Sequence, residues 1–145
     1  MRIVTATENN IYLLVSMNRE LFEDEKNDAI PTDEVLGQRL REHLGNGCCA
    51  YLFTDGEETV GYALVNRKAS PEYLMHFMIR RASRRSGMGT EAFRLLTEAL
   101  GTGRLDLDVF CWNDRGRAFW HSLGFRERCI IMRRDVPLSA SSDIM

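Results

Sequence analysis

Arg84-Arg85-Ser86-Gly87-Met88-Gly89-Thr90 joins an arginine cluster, two glycines spaced one apart and the start of an amphipathic helix. The first N–H groups of a helix have no intrahelical acceptor, and the helix dipole makes them attractive to anions. Glycine lets a phosphate approach the backbone, because no side chain stands in the way. Arginine adds fixed charge and forked donors that suit phosphate oxygens. Physically, the stretch reads as a cradle for a polyphosphate ligand.

Downstream, Met88, Ala92, Leu95, Leu96, Ala99 and Leu100 fall on one helical face, and Gly101-Thr102-Gly103 ends the helix. Upstream, Tyr73–Ile79 is a nearly continuous apolar run that reads as a strand inside a sheet. Further out, Arg2–Thr5 reads as a first strand and Glu8 to about Glu25 as a helix with Ile11, Leu14, Val15, Leu21 and Phe22 inward. Thr32 caps a second helix that runs to Gly45. Cys48–Phe53 and Val60–Val65 are strand-like, joined by the turn residues Asp55-Gly56. Leu105–Phe110 reads as another strand, Asp114–Leu123 as a short helix capped by Asn113, and Phe125–Val136 as the last strand. The order β-α-α-β-β-β-α-β-α-β is that of one α+β (mixed α/β) domain over residues 1–136, with 137–145 a frayed tail.

Composition narrows the function. The 145 residues suffice for one core but not for a cofactor domain plus a separate substrate domain. A net charge of −2 argues against nucleic acid as a partner, although Arg80, Arg81, Arg84 and Arg85 crowd the centre. Cys48, Cys49, Cys111 and Cys129 form no C-x-x-C pair and share no ligand spacing with His43, His76 and His121, so no metal is expected. No secretory pattern opens the chain and no apolar run reaches membrane-span length, so the expectation is a cytoplasmic protein with reduced thiols and no membrane partner.

Two ligands fit the glycine pair. Gly87-Met88-Gly89-Thr90-Glu91-Ala92 satisfies G-x-G-x-x-[GA], with Asp106 and Asp108 near the place of a ribose-binding acid. A dinucleotide loop, however, follows its strand immediately, and here Arg80–Ser86 intervene between Ile79 and Gly87. The repeated βαβ units of that fold are also missing. Read from Arg84, the same stretch is [QR]-x-x-G-x-[GA], and Asn113–Phe125 follows N-x(4)-A-x-x-[YW]-x-x-x-G-F through Asn113, Ala118, Trp120, Gly124 and Phe125. With both motifs in register, the chain resembles the GNAT superfamily of acetyl-CoA-dependent N-acetyltransferases over most of its length.

The resemblance implies a central, mostly antiparallel sheet of about six strands with helices on both faces. It implies acetyl-CoA as co-substrate, with Arg84, Arg85, Ser86, Gly87, Met88, Gly89 and Thr90 around the pyrophosphate. Phe77, Met78 and Ile79 would pair by backbone with the pantetheine arm and polarise the thioester carbonyl. Asn113, Phe119 and Trp120 would flank the sulfur, with Asn113 equally readable as a helix cap.

Direct transfer needs a neutral amine, and a free alkyl amine has a pKa of about 10.4, so a general base is useful. The candidates are His76 and Tyr73. Strict alternation puts Tyr73, Met75, Phe77 and Ile79 on one face and Leu74, His76 and Met78 on the other, unless a bulge changes the parity. His76 is also readable as a hydrogen-bonded structural residue. The thiolate leaves beside Trp120, where many family members have tyrosine, and an indole N–H is no usable acid. Departure without one costs on the order of 2 kcal/mol, which slows the reaction without abolishing it.

On the acceptor side, Asn18, Glu20, Glu23 and Asp24 lie late on the first helix, where carboxylates would attract a cationic amine, or form a solvated acidic face. The expected activity is transfer of the acetyl group to a primary amine of a small molecule or peptide. The alternative is a catalytically weak acyl-CoA-binding or interaction module. The exposed edge of the last strand could pair two copies as a homodimer.

Overall fold

In the computed structural model, which describes residues 1–26, 29–84 and 87–139, the chain divides after Asp108 into two units, Met1–Asp108 and Val109–Met145. The first unit contains β1 (Arg2–Thr5), α1 (Ile11–Asp24), α2 (Asp33–Gly45), β2 (Cys48–Asp55), β3 (Glu58–Asn66), β4 (Glu72–Ile79), α3 (Met88–Leu100) and β5 (Leu105–Asp106). The second contains α4 (Asp114–Ser122).

Local chemistry sets the helix starts. Thr7 and Asn10 cap a 3-10 turn, Glu8–Asn10, ahead of α1: the Asn9 N–H donates to Thr7 Oγ1 at 3.3 Å and the Thr7 N–H to Asn10 Oδ1 at 2.9 Å. Thr32 Oγ1 accepts from the Val35 N–H at 3.3 Å and starts α2, whose first turn carries Asp33 and Glu34 at the positive end of the dipole. Gly101 ends α3 at φ +72, in the left-handed region open to glycine.

The sheet has five strands in the order β1-β2-β3-β4-β5, antiparallel except for the parallel β4–β5 pair. Alternation along the strands sorts the two faces. Ala50, Leu52, Tyr62, Leu64 and Met78 form one core with Ile11, Leu14, Val15 and Met17 of α1 and Leu36 and Leu40 of α2. On the opposite face Phe77 meets Phe53 at a ring distance of 5.6 Å and Phe93 of α3 at 6.2 Å. Helices therefore cover both faces of the sheet.

Two expectations need correction. The sequence predicts about six strands, and among the described residues five form. Of the expected strand Leu105–Phe110, only Leu105–Asp106 pairs, with Glu72 and Tyr73. Of the expected last strand Phe125–Val136, no residue is in a strand, and Ile130, Ile131 and Met132 are exposed. Hydrophobic patterning signals a tendency to pair, and a strand exists only where a ladder partner meets it.

Candidate active site

β4 carries the first group of candidate residues, and its pairing with β3 is irregular. His76 lies opposite Leu64, but Leu74 lies opposite Val65, so Met75 is an extra residue in β4. Such a bulge reverses the alternation. Tyr73, opposite Asn66, therefore shares a face with His76 and Met78, whereas Leu74 shares one with Phe77 and Ile79. The strict parity expected for Tyr73 and His76 is thus overturned, and the two base candidates point to the α1/α2 side together. Met75 packs against the same core, where the Cys48 thiol meets its sulfur at 3.6 Å.

His76 Nδ1 lies 3.0 Å from Tyr62 Oη, and Asn18 Nδ2 donates to that oxygen at 3.1 Å. Asn18 donates to the oxygen and leaves the phenolic proton free to bond His76 Nδ1 in the tautomer that carries the ring proton on Nε2. Burial, and secondarily His43, pull the His76 pKa down to about 4, so the ring is neutral at pH 7. Burial raises the Tyr62 hydroxyl well above its ordinary value. Asn18 is 3% exposed, engaged inside the fold by its bond to Tyr62.

Beyond β4 the charges organise themselves. Glu20, Glu23 and Asp24, on the last turns of α1, turn to the arginines that follow the strand. Arg81 donates from Nε to Asp24 Oδ1 and from Nη2 to Glu23 Oε1, both at 3.1 Å, and its backbone N–H donates to Glu20 Oε1. Arg80 Nη1 lies 4.0 Å from Glu20 Oε2. Arg84 pairs through Nη2 with Asp24 Oδ2 and donates from Nε to the Ile79 carbonyl at 2.9 Å. Asp24, a candidate for the acceptor, thus meets Arg84, a candidate for the donor, while Glu20 and Glu23 are held by Arg80 and Arg81. Arg85 and Ser86 lie outside the described residues.

Gly87 caps α3 at φ +83, and a Cβ there would meet no atom within 4 Å. The first intrahelical bond runs from the Glu91 N–H to the Gly87 carbonyl at 2.9 Å, so helix geometry leaves the Met88, Gly89 and Thr90 amides facing the N-terminal end. Met88 itself is buried. Arg67 anchors the far end of α3, donating to the Leu100 carbonyl and to Glu72 Oε1, each at 2.8 Å.

In the second unit, Asn113 Oδ1 accepts from the Gly116 N–H at 3.0 Å and caps α4. Trp120 sits edge-on between Phe119, at 4.8 Å, and Phe125, at 5.3 Å. Phe110 and Trp112 stack at 4.6 Å, a pair that nothing in the sequence motifs marks. Among the described residues, no three His, Cys, Asp or Glu side chains come together as a metal site requires, and no helix is long and apolar enough to cross a membrane.

The fold is that of solved acetyltransferase structures. An acetyltransferase from Thermus thermophilus superposes with a TM-score of 0.71 at 23% identity, over 87% of this chain and 88% of that one. A predicted acetyltransferase with acetyl-CoA from Clostridium acetobutylicum gives a TM-score of 0.69 at 16% identity, over 92% and 95%. No curated protein sequence matches the chain. Residues 13–125 match the Acetyltransferase (GNAT) family, and the chain belongs to that family.

Proposed function

We propose that the protein transfers the acetyl group of acetyl-CoA to a primary amine by direct attack on the thioester. The observation that carries this reading is the order of features along β4: the bulge at Met75, the Gly61–Ile79 pairing at the strand's end, and then Gly87 opening the N-terminus of α3. On this reading the amides of Met88, Gly89 and Thr90 receive the pyrophosphate, with charge from Arg84 and Arg85. The backbone of Phe77–Ile79 lies along the pantetheine arm, and an N–H there stabilises the oxyanion of the tetrahedral intermediate. Asn113, Phe119 and Trp120 contribute on the side of the sulfur by family resemblance.

The acceptor's ammonium must lose a proton before attack. His76, buried with a pKa of about 4 and its Nδ1 engaged with Tyr62, is a poor acceptor for it. Tyr73, which shares that face through the bulge, is then the candidate base, or the holder of a water leading to solvent. By the same resemblance the thiolate leaves beside Trp120, whose indole N–H is no usable acid, unassisted or through a water or His121. The weak base also favours a second reading, an acyl-CoA-binding module with little turnover. Thiol release from acetyl-CoA, measured against polyamines, aminoglycosides, amino acids and peptides, separates them. Release with an amine supports the transferase, CoA binding without release supports the module, and the absence of both rejects each.

A further inference from the structure

We propose that Asp24 competes with the donor's phosphates for Arg84, so that the end of α1 holds this arginine until a donor displaces the carboxylate. The proposal rests on the reading of Arg84 as a donor-phosphate contact. It starts from a misfit: α1 ends at Asp24 with no basic residue in its last turn, so a carboxylate sits at the negative end of the helix dipole. The charge that offsets it comes from across the fold. Asp24 uses both oxygens, Oδ1 for Arg81 and Oδ2 for Arg84.

The two arginines are held differently. Arg81 is tied to α1 by Glu20 and Glu23 as well as Asp24, so loss of one contact leaves it in place. Arg84 meets α1 through Asp24, and its Nε is occupied by the Ile79 carbonyl. The Asp24 and Arg84 side chains are 28% and 39% exposed, so a ligand can reach the pair. A pyrophosphate carries more charge than a carboxylate and matches the same guanidinium fork. Arg84 can therefore exchange one anion for the other, while Arg81 keeps Asp24 and the end of α1 in position. Asp24 acts through Arg84 and is a positioning residue that weakens donor binding.

The test is calorimetric titration of the full chain with CoA at low salt. Asp24→Asn should bind CoA about two- to fivefold more tightly than wild type, the range of an exposed ion pair. The advantage should shrink as salt screens the charges. It should also vanish in an Arg84→Ala background, and Asp24→Glu should restore wild-type affinity. A merely structural Asp24 would lower the melting temperature without tightening CoA. Unchanged or weaker binding by a folded Asp24→Asn protein overturns the proposal. If that variant does not fold, the wild-type chain decides: the Asp24 carboxyl 13C resonance should shift as CoA saturates, and an unmoved resonance overturns the proposal. Wild-type protein that binds no CoA overturns the donor reading and this proposal with it, whereas CoA binding without these effects overturns this proposal alone.

Discussion

His76 is joined to two polar residues remote in sequence, Tyr62 directly and Asn18 through Tyr62, and burial sets its pKa. Its partner Tyr62 is 14 positions away, and Tyr62 in turn is 44 positions from Asn18. The His76 pKa is lowered from 6.5 to about 4, so the unfolded chain binds more protons than the folded one between those values. The resulting stability is fully present above pH 6.5 and is lost as pH falls toward 4. Its size is about 3 kcal/mol. Urea unfolding at pH 7 and pH 4.5 should show this loss, and His76→Gln should flatten the difference. An unchanged slope in that variant would mean that His76 does not carry it. Tyr62→Phe removes the hydroxyl that joins Asn18 to His76 and leaves buried polar groups unsatisfied, which should cost about 1–3 kcal/mol in the same assay. The sequence shows His76 in a strand and offers both a base and a structural residue. The choice depends on Tyr62 and Asn18: the register of β3 on β4 brings Tyr62 to His76, and the packing of α1 on the sheet brings Asn18 to Tyr62.

At the scale of elements, β4 is supported by a glycine that tolerates no side chain. A Cβ on Gly61 would lie 2.2 Å from the Met78 carbonyl oxygen and 3.1 Å from the Ile79 Cα, both backbone atoms. Gly61→Ala must therefore push β4 away from β3 at the end that leads to the donor loop. The expected cost is about 1–3 kcal/mol, read from the urea midpoint. Gly45→Ala is the control: it sits in the last turn of α2 with nothing within 4 Å of the added carbon, so it should be neutral or stabilise by up to about 1 kcal/mol. Equal losses in the two variants would mean that the tight β3–β4 approach does not matter. The helices were legible in the sequence because their apolar stripes and caps are local, as Thr32 and Gly101 illustrate. The strands through β4 were legible from their apolar runs. The bulge at Met75 was not, since no glycine or proline marks it, and with it the shared face of Tyr73 and His76 was hidden. The segment Phe125–Val136 carries the apolar run Cys129–Met132, as a strand can, but an apolar run holds no information about whether a partner edge is met.

For the whole molecule, the net charge of −2 conceals a pairing of opposite charges that lie far apart in the chain. Arg81 and Arg84 meet Asp24 across 57 and 60 positions, so the sequence showed an acidic helix and a basic loop but not their contact. This contact bears on how donor binding reports on the fold. A ligand that binds only the folded chain stabilises it by about 2.7 kcal/mol at a concentration one hundred times its Kd. For a chain of this size that corresponds to a rise in melting temperature of roughly 5–10 °C. Acetyl-CoA should produce such a rise, measured by scanning calorimetry. Gly87→Val should abolish most of it, because Gly87 holds φ +83 at the helix start where the donor's phosphates are expected. Valine in that conformation costs about 1–3 kcal/mol and places a branched side chain in the space now open. The unliganded variant will therefore melt lower, and the quantity to compare is the ligand-induced rise in each protein, not the melting temperature itself. A variant that melts lower but keeps the full rise would show that the donor's phosphates bind elsewhere.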